Sequence, residues 1–435
     1  MSPEFLLTLG MFGGLFLCIV LGVSLAFALG AIGLITAWVM WGTGGLMPVV
    51  TGVFNYMWMV LLAAVPLFVF IGVALSKTKI AEDLYNAFYL WSGSLRGGLA
   101  VGSCCLAAAL SAMTGNNAAS TVTTGLVGIP AMRQRGYKDS IILGTIGGAG
   151  TMGILIPPSI PLVVIGMMTG QSVGKLFAGG LTAGLFIVFI FIVYILLRAW
   201  IQPDLCPAIG TRVSFTEKMK ALRAVALPLL IVLSIIGSIF FGIATPTEAA
   251  SLGCVAVILC VVIRGEFNWK FVKEVSYSTA VTTGMVLWIM FGAASFVAAY
   301  SGGGGLSFMQ NLFMGFEVNR WVIFTIMQVI VFILGMFFDP MGIILICIPI
   351  FYPVVQALNF DPIWFNLLFN INLCMGYITP PFGYCLFYLK SLCPETPMAI
   401  IYRSVVPFIL LMMVSMVIMV FIPGIITWFP NVVIR

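Results

Sequence analysis

The chain has 435 residues, of which 62% are hydrophobic and only 7% charged, and it contains no histidine. Soluble domains carry about a quarter charged residues, so this composition is that of an all-α polytopic membrane protein with almost no soluble portion. The formal charge of +6 does not mark a nucleic-acid binder, because Lys and Arg sit in short loops between apolar runs, as in cytoplasmic loops.

Apolar runs of about 20 residues mark spans. The first fall near residues 3–21, 22–41 and 51–75. The opening MSPEFLLTLG lacks a basic n-region, so the first span is expected to be retained rather than cleaved. DLYNAFYLWSGSLR, at 83–96, mixes aromatic and polar residues and reads as an interfacial helix lying flat.

The next stretch organises the chain. Gly97 to Pro130 is 34 residues, too few for two full spans, which need about 40 plus a turn. It is apolar at both ends and polar in the middle, at Ser111, Thr114, Gly115, Asn116, Asn117, Ser120 and Thr121. These features predict a re-entrant hairpin over about 97–130. Irregular backbone at membrane depth is tolerated only where protein buries it or it lines a wet cavity, so the TGNN tip is a candidate binding site. Cys104 and Cys105 lie among Ala and Leu in this hairpin. The ten cysteines show no CxxC and no His partner, and small apolar packing accounts for them.

A long span follows from Ile141 to about Thr169, interrupted by GGAGTMGILIPPS, and another lies near 177–199. The basic RQRGYK stretch before them suits anionic lipid head groups, although topology accounts for most of its charge. The polar loop QPDLCPAIGTRVSFTEKMKALR holds Arg212, Lys218, Lys220 and Arg223. It divides the chain into a first half at 1–203, a connecting loop at 204–223 and a second half at 224–435.

In the second half, spans are expected near 224–243, 245–264 and 276–298, then a second interfacial segment, LSFMQNLFMGFE, at 306–317. A polar-tipped hairpin covers about 320–353. A long span from about Pro362 to Leu389 is interrupted by MGYITPPFG, and a last span lies near 404–427. Laid over the first half at an offset of 223 residues, Pro380-Pro381 falls on Pro157-Pro158 and Asp339 falls on Asn116. About ten crossings and two hairpins give an odd number of crossings per half, so the second copy is inverted.

Charge supports this topology. The first hairpin is flanked by Lys77, Lys79, Arg96, Arg133, Arg135 and Lys138, the second by Arg320 alone. The first then opens from the cytoplasm and the second from outside. The central loop, Lys270, Lys273, Lys390 and Arg403 fall inside, and both termini fall in the periplasm with Arg435 a mild exception. Inverted repeats with facing hairpins and broken helices are the architecture of secondary transporters.

The two tips and the two breaks are the places where chemistry can converge. A double Pro interrupts a helix because Pro lacks the N–H and clashes with the preceding turn. Freed carbonyls suit a dehydrated cation such as sodium, and half-helix N-termini suit an anion. Asp339 is the only acidic residue near the second tip. It either binds a cation or a solute, or caps the helix that begins at Pro340, and both readings stand. Glu248, in FGIATPTEAAS, reads as the partner of a Thr cap. No nucleophile–base pair and no P-loop appears, which argues against an enzyme and against an ATPase.

With these motifs in order, the chain resembles the large membrane subunit (DctM-type) of tripartite ATP-independent periplasmic (TRAP) transporters. The carriers of the resemblance are LGVSLAFALG, AVPLFVFIG at 64–72, TGNNAAST, GIPAMRQRGY at 128–137, GTMGILIPPSI at 150–160, FGIATPTEAAS at 241–251, PIFYPVVQALNFDPIWFNLL and GYITPPFG. The resemblance implies a sodium-driven, elevator-type importer of a small organic anion, a carboxylate or sulfonate such as sialic acid or a C4-dicarboxylate, in the bacterial inner membrane. It also implies a periplasmic binding protein that delivers the solute and a small four-helix membrane subunit. One sodium site would use Ser111, Asn116, Gly153, Ile156 and Pro158. The other would use Gly335, Gly376, Thr379 and Phe382. The solute would sit near Asn117, Ser159 and Asp339. Many members carry Gly-Ser-Ser where this chain has Gly115-Asn116-Asn117, which alters the contact to solute. The alternative is a self-sufficient carrier that needs no binding protein.

Overall fold

The computed structural model describes residues 2–92, 95–207, 214–315 and 318–434. Arg212, Arg435 and the ends of the two interfacial segments at 93–94 and 316–317 lie outside the described residues. Among the described residues the chain is all-α. Before the connecting loop run α1 (Pro3–Val20), α2 (Leu25–Trp41), α3 (Leu46–Met57), α4 (Ala64–Ser76), α5 (Ile80–Ser92), α6 (Gly98–Thr114), α7 (Asn117–Arg133), α8 (Asp139–Gly150), α9 (Ile160–Thr169) and α10 (Val173–Ile201). After it run α11 (Phe215–Phe240), α12 (Pro246–Ile263), α13 (Trp269–Gly302), α14 (Gly305–Gly315), α15 (Arg320–Gly335), α16 (Pro340–Ala357), α17 (Pro362–Gly376), α18 (Tyr384–Leu392), α19 (Met398–Phe421) and α20 (Gly424–Val433). Seven segments among the described residues are long and apolar enough to cross a membrane. Other apolar helices are shorter because hairpin tips and mid-helix breaks interrupt them.

Both expected hairpins are helical pairs. Gly115 ends α6 at φ +59°, in the left-handed region that Gly adopts without a Cβ penalty. Asn116 is then extended, and its Oδ1 accepts from the N–H of Ala118 at 2.8 Å to cap α7. In the second hairpin Asp339 is extended and its Oδ2 accepts from the Met341 N–H at 2.9 Å, with Pro340 at the first helical position. The segments at 83–96 and 306–317 are helical in α5 and α14 over their described residues, except that Leu95 and Arg96 form a bend and turn beyond α5. Glu248 closes a capping box, accepting from the Thr245 N–H at 2.8 Å.

Two expectations need correction. The span at 51–75 is not one helix: α3 ends at Met57, Met59 is extended, and a short 3-10 turn at Val60–Ala63 leads into α4. Pro66 explains the restart, since it fits the first turn of α4, where its missing N–H has no helical partner to lose. The stretch 204–223 is not all loop, because α11 begins at Phe215. Ser214 and Glu217 form a capping box there, and the following KMKALR is made of good helix formers.

The helices fall into two packing groups. In one, α13 packs along α2, α3 and α4, α12 along α4, and α11 along α5. Small residues allow the close approach: Gly292 lies against the Ala26 carbonyl and Gly33 against the Ser295 backbone, where a Cβ would collide. In the other, α6 pairs with α7, α8 with α19, α10 with α20, α15 with α17 and α18 with α7. The groups meet most extensively where α5 packs on α6, beside the hydrogen bond from Arg135 to Tyr89 Oη at 3.1 Å, and also where α13 touches α16 and α4 touches α6. Arg133, at the end of α7, anchors the second group: it donates to both Asp139 oxygens at 2.9 and 3.0 Å, to Glu395 and to Thr396 Oγ1.

Arg133→Ala is therefore expected to lower the thermal midpoint of the purified protein by a few degrees, with Arg133→Lys between the two because it loses the bidentate fork. The hydrogen bond from Arg133 holds the Glu395 carboxyl below its ordinary range. That part of the difference from wild type is full at neutral pH and shrinks as pH falls below the ordinary glutamate value of about 4.3 and on through the lowered one. Melting curves at pH 7 and pH 4 check both points.

Candidate functional site

The site is built from four interruptions: the tips at Gly115–Asn117 and Met336–Asp339, and the breaks at Thr151–Ser159 and Tyr377–Gly383. The first break is held at Ile154. Its N–H donates to Asn117 Oδ1 at 3.0 Å, while its carbonyl accepts from Ser159 Oγ at 2.5 Å and from Asn370 Nδ2 at 2.6 Å. Three side chains from three elements thus bond the N–H and the carbonyl of one residue, whose carbonyl has no helical donor because Pro157 and Pro158 lack an N–H. Both double-Pro steps, Pro157-Pro158 and Pro380-Pro381, are cis.

The first candidate cation set is partly assembled. A Cβ on Gly153 would lie 2.7 Å from the Asn116 carbonyl carbon, and one on Gly115 would strike the Pro158 carbonyl oxygen. The tip and the break therefore touch through backbone. Asn116 turns its side-chain oxygen to its own helix, so what it presents to Gly153 is its carbonyl. Ser111 is fully buried and shares a hydrogen bond with Ser120 at 3.1 Å. Ile156 packs its side chain on Gly184, leaving its backbone for any ligand role.

In the second set Gly335 and Gly376 bring α15 and α17 together, a Cβ on Gly376 lying 2.6 Å from the Gly335 Cα. Thr379 Oγ1 donates to the Met375 carbonyl at 2.6 Å and keeps its lone pairs. Phe382 points outward, half exposed, against Phe337 at a centroid distance of 5.6 Å, so only its backbone oxygen can join.

Between the tips lies a cavity of about 230 Å³. Asn117 and Asp339 both line it, with Tyr377 and Tyr388. Its wall includes the first residues of three helices: Asn117 and Ala118 of α7, Ile160 and Pro161 of α9, and Pro340 and Met341 of α16. Three positive dipole ends converge there. Asn117 Nδ2 is buried and meets no acceptor among the described residues. The opposite wall is Val281, Thr282, Met285 and Val286 of α13. Ser159 is not brought to this cavity: it is fully buried, and its hydroxyl is spent on Ile154 and on capping α9.

Comparisons with known proteins identify this arrangement. Residues 12–425 match the family described as tripartite ATP-independent periplasmic transporter, DctM component. The chain belongs to that family. It is 30% identical to the C4-dicarboxylate TRAP transporter large permease protein DctM of Pseudomonas aeruginosa, over 85% of this chain and 86% of that one. It is 31% identical to the ectoine/5-hydroxyectoine large permease UehC of Ruegeria pomeroyi, over 84% of each, and 28% identical to the sialic acid large permease SiaM of Vibrio cholerae, over 80% of each. Its fold matches the crystal structure of the Alcanivorax borkumensis YdaH transporter, with a TM-score of 0.66, 13% identity and coverage of 99% of this chain and 100% of that one. The protein is thus a multi-pass inner-membrane large permease, a transport protein that works with a small permease subunit and a periplasmic binding protein.

Sequence reasoning missed much of what holds this TRAP permease together. Asn370 reaches the first break from α17, Asn366 donates to Thr169 at 3.2 Å, and Asn372 donates to the Gln328 carbonyl at 2.7 Å. The signal was present: Asn366, Asn370 and Asn372 fall within two turns of a helix that is otherwise apolar, where buried polar groups demand partners. The tip–break contact is expected to tolerate no side chain at Gly153. Gly153→Ala should lower the thermal midpoint and the folded yield, by about 1–3 kcal/mol for overpacking. Gly237→Ala, with open space around it, should be neutral or slightly stabilising in the same melt.

Proposed function

We propose that this permease couples the import of a small carboxylate- or sulfonate-bearing solute to sodium. The observation that carries the reading is the cavity between the tips, where the first residues of three helices, Asn117 among them, face one space. Such a space favours an anionic group, since donors and dipole ends are desolvated there and lack acceptors. The solute then lies against Asn117 and near Asp339. One sodium is held by Ser111 and the backbone oxygens of Asn116, Gly153, Ile156 and Pro158. A second is held by Gly335, Gly376, Thr379 and Phe382. Carbonyl and hydroxyl oxygens are hard, neutral ligands of the kind that alkali cations accept at broken helices.

The packing supports an elevator. The tips and breaks belong to one helix group, and α13 supplies the facing wall from the other. Sliding one group against the other carries the cavity across the membrane while the internal hydrogen bonds stay intact. In this reading the halves 1–203 and 224–435 are inverted repeats, the hairpins open from opposite sides and both termini are periplasmic. A periplasmic protein delivers the solute, and the small subunit braces the α2–α13 group. The need for a binding protein is what separates this reading from a self-sufficient carrier.

Proteoliposomes holding the large and small permease subunits, with the binding protein and its ligand added outside, test the proposal. Uptake should require both an inward sodium gradient and the binding protein. Ser111→Ala and Thr379→Ala should each raise the sodium needed for half-maximal uptake by about tenfold, the effect of losing ~1.4 kcal/mol of ligation. Sodium activation that is unchanged in both variants would remove the two assigned sites.

A further inference from the structure

The cavity between the tips adjoins a second one of about 580 Å³, and the two share Asp339, Met285 and Tyr388 on their walls. Among the described residues Asp339 is the sole charged side chain lining either, and no Lys or Arg lines them. Around it in the second cavity stand Phe27, Trp288, Phe337, Phe338, Tyr384 and Tyr388. Tyr377, on the wall of the first cavity, stacks on Tyr384 at 5.8 Å with an interplanar angle of 18°. Lipid-facing aromatic residues are common, but a carboxylate among them is not. An uncompensated one costs about 2.5–3.5 kcal/mol on insertion scales. Asp339 Oδ2 caps α16, which accounts for one oxygen and leaves the charge without a basic partner.

A carboxylate framed by ring faces is the chemistry that receives an organic cation. The other end of the same space, at Asn117 and the three helix N-termini, receives an anion. A solute with two acidic ends would set its second carboxylate beside Asp339, where like charges repel. We infer that the solute of this permease is a zwitterion, its acidic group at the Asn117 end and a cationic nitrogen, amidinium or quaternary ammonium, seated between Asp339 and the rings of Tyr384 and Tyr388. The inference rests on the carrier reading above and specifies its solute.

The test uses the purified pair of large and small permease subunits in nanodiscs, read by thermal protection. The probes are glycine betaine and ectoine, against succinate and isethionate, in sodium and in potassium. In sodium the two zwitterions should protect at concentrations about tenfold lower than the anions do. Asp339→Asn keeps the helix cap, and should weaken zwitterion protection at least about tenfold while leaving the sodium-only midpoint shift unchanged. Tyr388→Phe keeps the ring face and should stay within about threefold of wild type, whereas Tyr388→Leu should lose protection. Equal or better protection by succinate or isethionate overturns the inference, as does protection by neither zwitterion. So does an Asp339→Asn variant that moves the sodium midpoint and spares zwitterion binding, which would make Asp339 a sodium ligand. The carrier reading fails separately: sodium alone would then leave the wild-type melt unmoved, whatever the solutes do.

Discussion

The structure depends on how the polar groups of one residue are satisfied in a place without water. At Ile154 the 3-10 turn ends, and its carbonyl has no helical donor because Pro157 and Pro158 lack an N–H. Ser159 and Asn370 donate to that carbonyl at 2.5 and 2.6 Å, and Asn117 accepts from the Ile154 N–H at 3.0 Å. In hydrocarbon an unpaired peptide group costs several kcal/mol, so the break exists only because these side chains reach it. They come from the first hairpin, the break itself and a helix of the second half. The bond from Asn370 spans 216 positions of sequence. The first break therefore cannot form until both halves are folded together.

That bond also decides what can move. The break, both hairpins and α17 are tied into one body by Ile154, by the Gly335–Gly376 contact and by Arg133 at the α18–α19 connection. Among the described residues α13 packs on α16 but shares no side-chain hydrogen bond with this body, and its contribution to the cavity is Val281, Thr282, Met285 and Val286. Apart from the Thr282 hydroxyl, that wall is aliphatic or thioether surface. A smooth apolar wall facing a hydrogen-bonded body is a sliding interface in physical terms, since displacement breaks no specific bond. The carrier reading needs this division of labour between the two helix groups.

Much of this was legible in the sequence, and the reason is local chemistry. A polar centre between apolar arms in Gly97–Pro130 gave the first hairpin, and the structure folds it as α6 and α7 about Gly115 and Asn116. The doubled prolines located both breaks because Pro acts on its own backbone. Capping at Thr245–Glu248 was equally local. What stayed hidden was long-range or permissive. The restart of the helix at Ala64 depends on Pro66 being harmless in a first turn, which sequence alone does not separate from a kink. Asn370, Asn372 and Gln328 look like stray polar residues until their partners are placed. Ser159 lies apart from the cavity for a related reason: its neighbours Ile160 and Pro161 line the cavity, but its hydroxyl is consumed by Ile154. Asp339 was left between a cap and a ligand role, and the structure shows that it caps α16 while lining the cavity.

The same logic bears on how one fold carries different solutes. Permeases named for a C4-dicarboxylate and for ectoine stand at 30% and 31% identity to this chain, so overall similarity does not separate a doubly acidic solute from a zwitterionic one. The features that fix the fold are backbone features: Gly contacts, helix N-termini and Pro breaks, which present the same positive ends to any acidic group. Discrimination must then come from side chains that the fold does not consume. In this chain those are Asn117 Nδ2, which no acceptor meets, and the free edge of Asp339 beside Tyr384 and Tyr388. A carboxylate there rejects a second carboxylate more strongly than any apolar residue would, and it does so without altering the scaffold that the hairpins require.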